Sequence, residues 1–191
     1  SLFAGAASGF AGMLLFDMPG RPLAGFGAVL LGAAGVMCSA RIYLVRARPA
    51  WNSGYTVAEF FATALLLGPL FVRATGAAGA HWVAWAAACG GAAQLAAQML
   101  KFLWLAQSET FELRASSRLI GGRFRGVFLV RLGVLVAAGL VAPLASGRLA
   151  VSIAAFALAL AGEWLGRWLF FVTVVPKNMA AGFTARPKVA A

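Results

Sequence analysis

The sequence predicts an all-α fold, a polytopic transmembrane helix bundle, on three observations. Of its 191 residues, 62% are hydrophobic and only 11% are charged, and the mean hydropathy is +0.88. Soluble domains are roughly half apolar and about a quarter charged, so this chain has too little polar surface to cover a water-soluble globule. Such hydrophobicity also excludes intrinsic disorder. The apolar residues form continuous runs, as in membrane helices, and do not alternate as in a β-barrel.

Six runs are candidates for crossing the hydrocarbon layer, which takes about 20 apolar residues. They cover residues 1–16, 23–45, 56–72, 80–106, 127–144 and 149–175. The first is short because the sequence begins within or beside it, and the fourth is long enough to tilt or to extend beyond the bilayer. In the last run, Gly162 and Gly166 form a small-x-x-x-small pattern, which favours close helix packing within the bundle.

The basic residues predict the orientation of these spans. The net charge is +11, from 16 Lys and Arg against 5 Asp and Glu. One set of alternate loops, with the tail, holds eleven bases and the other holds three, while Arg131 and Arg167 lie inside spans. The positive-inside rule puts the richer side in the cytoplasm, and no nucleic-acid partner is predicted. A basic face that docks an acidic partner subunit is the alternative explanation.

Ionisable residues inside spans are functional candidates by default, because they are expensive to place in lipid. Glu163 and Arg167 lie one turn apart on the last span and share a helix face. Either they neutralise each other, or they belong to a site for protons or a quinone headgroup. For Gln94, Gln98 and Lys101 of the fourth span, we favour hydrogen bonds between helices and a lysine that reaches the membrane surface.

The chain has two cysteines and one histidine, too few for the common redox groups. An iron–sulfur cluster held only by cysteine needs four of them, and a haem held by two histidines needs a second one. We expect Cys38 and Cys89 to behave as small apolar residues, and His81 to be an interfacial polar residue. No metal site or metal cofactor is predicted within this chain.

Three stretches resemble a known family. Arg41-Ile42-Tyr43 is followed by Arg48-Pro49-Ala50-Trp51-Asn52-Ser53, then by Leu67-Gly68-Pro69-Leu70, and the last span contains Ala161-Gly162-Glu163-Trp164-Leu165-Gly166-Arg167. The tail from Val175 to Met179 extends the match. In order and spacing, these stretches resemble the membrane anchor subunits of DMSO reductases, the DmsC-like anchors of complex iron–sulfur molybdoenzymes.

The resemblance implies a multi-pass anchor of eight spans in the bacterial inner membrane, of which residues 1–191 form a single integral-membrane domain with the later six. Such anchors serve anaerobic electron transport as non-catalytic subunits of an oxidoreductase complex. They exchange electrons between membrane quinol or quinone and an iron–sulfur subunit, which works with a molybdopterin catalytic subunit. The clusters and molybdopterin belong to those partners, and quinol or quinone is the substrate. The family's first two spans, with a His-Leu-Gly stretch and an acidic residue linked to quinol chemistry, have no counterpart in this sequence.

The resemblance and the charge pattern together select candidate residues. The predicted quinone-binding and proton-relay residues are Arg41, Tyr43, Glu163 and Arg167. The residues predicted to dock the partner are Arg46, Arg48, Trp51, Arg114, Arg118, Arg123 and Arg125. Two other function classes stay open. A transporter for a small solute or protons would be built from inverted repeats with broken helices, and the spans contain no convincing repeat. A structural assembly subunit would not depend on quinone.

Overall fold

A computed structural model of the chain describes residues 2–76 and 81–177. Within these ranges all regular secondary structure is helical, which confirms the predicted all-α class. The chain divides into two compact units, Ser1–Tyr43 and Leu44–Ala191, and each is described by itself. The predicted motif residues Asn178 and Met179, and the chain end that the charge pattern placed in the cytoplasm, lie outside the described residues.

The first unit is a helical hairpin of α1 (Leu2–Leu15) and α2 (Arg21–Arg41). The turn between the helices contains Gly20 at φ 92°, a left-handed conformation that glycine adopts without strain. With 14 residues, α1 is about 21 Å long, less than the roughly 30 Å of a hydrocarbon core. The first predicted span is therefore present as an apolar helix that is shorter than a full crossing.

The second unit contains five helices. They are α3 (Gly54–Ala74), α4 (His81–Gln107), α5 (Phe111–Gly121), α6 (Arg125–Ala145) and α7 (Leu149–Val172). Four of these, with α2, are the five helices in the described part of the chain that are long and apolar enough to cross a membrane. The remaining helix of this unit, α5, is a short amphipathic helix in the loop between two spans, and it was not predicted from the sequence.

Many large apolar side chains point outward from the helices, as expected in a lipid solvent. Trp164 is 80% exposed, Trp85 62% and Leu65 58%. Exposed surface of this kind would make a soluble protein aggregate, but it suits contact with acyl chains. Together with the five long apolar helices, it identifies a multi-pass membrane protein.

The centre of the second unit is a layer of small and aliphatic side chains from all four long helices. Its buried members are Leu66, Leu70, Ala87, Leu135, Ala138, Ala155 and Ala159. Glycines allow the helices to approach closely. A Cβ on Gly91 of α4 would lie 2.7 Å from the carbonyl oxygen of Gly139 in α6. We call the seven buried residues Leu66, Leu70, Ala87, Leu135, Ala138, Ala155 and Ala159 the apolar layer.

Helix α6 is irregular in its second half. Residues Leu135–Val141 form a π-helical stretch between two α-helical segments. Pro143 follows it, has no N–H to donate to the carbonyl of Gly139, and would press its ring against that group. A widened turn relieves this crowding. Such stretches are rare and often lie near functional sites, and Arg131 lies one turn before this one.

Polar residues lie on both sides of the apolar layer. Along the inward face of α3, Glu59 and Thr63 come first, Leu66 and Leu70 follow, and Arg73 comes last. The second unit therefore has a polar region near each end, with an apolar layer between them.

Candidate functional site

A buried carboxylate forms the centre of the larger polar region. Glu163 of α7 is only 5% exposed. Its oxygens accept hydrogen bonds from Nε2 of Gln94 at 2.9 and 3.1 Å and from the hydroxyl of Thr63 at 2.8 Å. Nη2 of Arg131 lies 3.6 Å away. Side chains from α3, α4 and α6 thus converge on one acidic group of α7.

Arg131 is the basic partner of this carboxylate and is itself buried. In the orientation that satisfies both ends of its amide, Gln98 accepts hydrogen bonds from Arg131 Nη2 at 3.0 Å and Nε at 3.3 Å.

Glycines on α7 make room for side chains of α6. Gly166 leaves the space that the Arg131 guanidinium occupies, since a Cβ there would overlap it. Gly162 similarly faces Val134. The pattern of two glycines on α7 packs against α6, which confirms the predicted close packing.

A second ion pair lies nearer the helix ends. Nζ of Lys101 is 2.6 Å from a carboxylate oxygen of Glu59, and their side chains are only 10% and 14% exposed. The ammonium also lies 4.8 Å from the ring centre of Phe170. The expectation that Lys101 reaches the membrane surface was therefore wrong, because Glu59 on the neighbouring helix offers a closer partner. The predicted hydrogen bonds between helices are confirmed for Gln94.

Arg167 does not form the predicted pair with Glu163, although both lie on one helix face. Its guanidinium carbon lies 3.7 Å from the ring centre of Phe60, a cation–π contact. Arg131, on the neighbouring helix, is the ion-pair partner of Glu163 instead. The region thus has a formal charge of +1, from three bases and two acids: Lys101, Arg131, Arg167, Glu59 and Glu163.

These residues all lie toward the same end of the bundle. At 1.5 Å per residue, Glu59 is about 7 Å from the start of α3. Glu163 is about 14 Å from the end of α7, and Gln94 is about 20 Å from the end of α4. Those helix ends adjoin the loops rich in arginine. The polar residues therefore extend inward from the basic end toward the apolar layer, and we call them the polar cluster: Glu59, Thr63, Gln94, Gln98, Lys101, Arg131, Glu163 and Arg167.

A cleft leads to the polar cluster from the basic end. Its polar lining includes Glu59, Gln98, Lys101 and Arg131. Its walls include the aromatic and aliphatic side chains of Phe102, Leu105, Ile120, Phe128, Leu169 and Phe170. It has room for a few water molecules. Charged donors and a carboxylate thus face an aromatic space.

The segment after α7 covers the mouth of the cleft. The backbone N–H of Val175 donates to Ser116 Oγ of α5 at 3.3 Å, and that of Lys177 donates to the carbonyl of Ala47 at 2.9 Å. Both contacts hold the segment across the basic end of the second unit. Helix α5 therefore has a defined role: it supports this cover and supplies Ile120 to the cleft.

Gln94 contains an acceptor that no residue within 2–76 and 81–177 satisfies. Its Oε1 is buried and accepts no hydrogen bond from the described residues. An unsatisfied buried acceptor is costly, and in proteins water or a ligand often supplies the donor. Gln94, Arg131 and Glu163 also border a small void. The inner end of the polar cluster is thus suited to a hydrogen-bond donor from outside the protein.

The other two predicted site residues belong to the first unit. Arg41 is the last residue of α2 and is exposed. Tyr43, two residues later, is half-buried, and its backbone N–H donates to the carbonyl of Ala40 at 3.1 Å. The structure places Glu163 and Arg167 in the polar cluster of the second unit. A single site containing all four residues stays a prediction.

Most of the predicted docking residues are exposed: Arg46, Arg114, Arg118, Arg123 and Arg125. Arg48 is half-buried, with its guanidinium carbon 4.4 Å from the ring centre of Trp51. Trp51 is only 9% exposed, donates from Nε1 to the carbonyl of Phe170 at 2.9 Å and stacks on that ring at 5.0 Å. Its assignment as a docking contact is therefore corrected: Trp51 packs inside the protein, beside the cleft.

Arg131, Gln98 and Glu59 were not predicted as site residues from the sequence. One signal was available: Glu59 lies just inside the start of one span and Lys101 just inside the end of the next, so an ion pair at one depth could have been inferred. No comparable signal identified Arg131 as the partner of Glu163.

Comparison with known proteins found no matching protein-family model, curated protein or solved structure. The interpretation of the site therefore depends on its chemistry.

Proposed function

We propose that this chain is a membrane anchor subunit of a DMSO-reductase-like molybdoenzyme complex and exchanges electrons between quinol or quinone and an iron–sulfur subunit. The supporting observation is the aromatic cleft at the basic end, with the polar cluster at its base. The family resemblance supplies the identity of the complex, and the cleft supplies a place where the quinone headgroup binds.

The lining of the cleft suits a quinone ring. A quinone presents two carbonyl oxygens on an aromatic plane, so it needs hydrogen-bond donors and a flat apolar surround. Lys101 and Arg131 carry such donors, and Phe128 and Phe170 provide ring surfaces. The cleft has little free volume, so the headgroup needs its side chains to move apart on entry.

Quinol oxidation releases two electrons and two protons, and the polar cluster provides acceptors for the protons. Glu59 and Glu163 are carboxylates at two depths, and each lies beside a basic group. Protons pass from the ring oxygens to these carboxylates and then to water at the basic end. The electrons leave to the iron–sulfur subunit docked there.

The exposed arginines at the basic end suit the docking role. Arg114 and Arg118 lie one turn apart and exposed on α5, which contributes Ile120 to the lining of the cleft. An acidic iron–sulfur subunit bound to them would lie next to the quinone, and electron transfer needs this proximity. The positive-inside rule favours the cytoplasmic side for this end, and the family resemblance implies a bacterial inner membrane.

The same polar cluster suits a second candidate, a proton or small-solute transporter. A transporter needs a route across the whole membrane, whereas the apolar layer lies between the polar cluster and Arg73. A structural assembly subunit needs neither the cleft nor buried carboxylates. The cluster therefore favours quinone chemistry over both alternatives.

Quinone titration of the chain in lipid nanodiscs tests the proposal. A short-chain menaquinone should quench tryptophan fluorescence saturably, because Trp51 borders the cleft. Gln98→Leu removes a group that positions Arg131. We therefore expect half-saturation at a quinone concentration at least about tenfold higher, a loss of about 1.4 kcal/mol in binding free energy. Gln107→Leu, a change at an exposed residue of the same helix, should leave the titration unchanged.

Two results would count against this assignment. Quenching that does not saturate would show that quinone meets the tryptophans only through the lipid. Saturable quenching with equal half-saturation in the wild type and Gln98→Leu would place the quinone elsewhere.

A further inference from the structure

The smaller polar region, at the opposite end of the second unit, contains a buried cation. Arg73 occupies the last turn of α3 and is only 3% exposed. Its Nη2 donates to the carbonyl of Ser146, in the loop before α7, at 2.7 Å. A guanidinium has five N–H groups, so this contact uses a small part of its donor capacity.

No carboxylate neutralises Arg73 within residues 2–76 and 81–177, where the ion pairs involve other bases. The nearby stretch 77–80 reads Ala-Ala-Gly-Ala and carries no acidic side chain. The carbonyl end of α3 offsets part of the charge. A buried cation without a counter-charge is nevertheless expensive, so this site favours an anion supplied from outside the protein.

A cavity adjoins the guanidinium and has both polar and apolar walls. Arg73, His81 and Ser146 line its polar part, and Trp85, Pro143 and Leu144 line its apolar part. The outer side chains of Trp85 and Leu144 are 62% and 49% exposed, toward the surface that contacts lipid. The cavity therefore joins a cationic inner wall to an apolar exit at the membrane side.

We propose that this cavity binds the phosphate of an anionic phospholipid. The phosphodiester accepts hydrogen bonds from the N–H groups of Arg73 that bond no other described residue, and charge-assisted bonds of this type are the stronger ones. The acyl chains leave along Trp85 and Leu144 into the bilayer. A free phosphate would use the same guanidinium but would gain nothing from these two apolar side chains.

Native mass spectrometry of the detergent-purified protein tests this site. Three probes are added separately: phosphatidylglycerol, phosphatidylcholine and inorganic phosphate. We expect the wild type to retain one phosphatidylglycerol, and Arg73→Gln to retain it at least about tenfold less. Trp85→Ala, which leaves the cation in place, should weaken retention several-fold. Arg148→Gln, at an exposed arginine of the same end, serves as the matched control and should retain it as the wild type does.

Each other outcome overturns the proposal. Equal retention in Arg73→Gln and the wild type would show that Arg73 does not hold the lipid. Equal retention of phosphatidylcholine would remove the role of net charge, and binding of inorganic phosphate with no lipid adduct would identify a site for soluble anions. Circular dichroism confirms that each variant is folded, and Trp85→Ala keeps the test decisive if Arg73→Gln does not fold.

Discussion

At the scale of single residues, each buried charge of the polar cluster needs a partner within the same bundle. Arg131 and Glu163 have side chains that are only 8% and 6% exposed. Removing one member leaves the other charge buried and uncompensated, which is much more costly than losing an exposed pair. The ion pair therefore helps to fix which faces of α6 and α7 meet.

We expect Glu163→Gln and Arg131→Gln each to lower the free energy of unfolding by about 3 kcal/mol, as for other broken buried pairs. The double variant should cost less than the sum, with a coupling of about 1–3 kcal/mol, because it leaves neither charge alone. Reversible unfolding in mixed micelles measures all three variants. Strictly additive losses would mean that the two side chains are not coupled.

The exposed pair Asp17–Arg21 is the matched control for this cycle. Its side chains are 83% and 44% exposed and one turn apart. Arg21→Gln should change the free energy of unfolding by less than about 0.5 kcal/mol, since water already screens the pair. A loss as large as that of Arg131→Gln would mean that charge itself, not burial, determines the cost.

At the scale of helices, close packing of α4 depends on two adjacent glycines. A Cβ on Gly90 would collide with the backbone of Leu65 and Leu66 in α3, and one on Gly91 would collide with Gly139 in α6. Backbone atoms cannot rotate away as side chains do. Helices α3 and α6 can therefore approach α4 only where it lacks side chains.

Gly90→Ala should accordingly destabilise the protein by about 1–3 kcal/mol, the usual cost of overpacking. Gly133→Ala on α6 is the control, because a Cβ there meets no atom within 4 Å, and it should be neutral or stabilising by up to about 1 kcal/mol through helix propensity. Both are measured by the same unfolding assay. Equal effects at the two positions would show that the close approach of α3 and α4 contributes nothing to stability.

The long helices were predictable because a membrane imposes a length and a composition on each span. The five long helices lie where the apolar runs predicted them. Helix α5 was missed because its 11 residues are too few and too polar for a membrane span. The π-helical stretch Leu135–Val141 was missed because it depends on local crowding before Pro143, which hydropathy does not detect.

The site was predictable only in part. The sequence identified Glu163 as an unusual intramembrane acid, since a carboxylate in an apolar run is conspicuous. It could not identify Arg131 as its partner, because that depends on which helices are neighbours and how they are rotated. Trp51 was misassigned for the same reason: its burial follows from the position of Phe170, 119 residues away.

At the scale of the whole molecule, the apolar layer makes the two ends of the second unit chemically different. The basic end contains carboxylates, amides and an aromatic cleft, whereas the other end contains Arg73 beside a cavity with an apolar exit. Quinone chemistry and partner docking are proposed for the first end only. Changes at the second end, such as Arg73→Gln, should therefore leave quinone binding unaffected.

Isolation of the chain from its native membranes in mild detergent tests the central claim most directly. We predict that iron and molybdenum co-purify with it, and that added quinol reduces the iron–sulfur clusters of this complex. The rate at which quinol reduces these clusters should fall at least about tenfold in Glu163→Gln, an increase of about 1.4 kcal/mol in the activation free energy. A chain that purifies from those membranes with neither metal would contradict the anchor function.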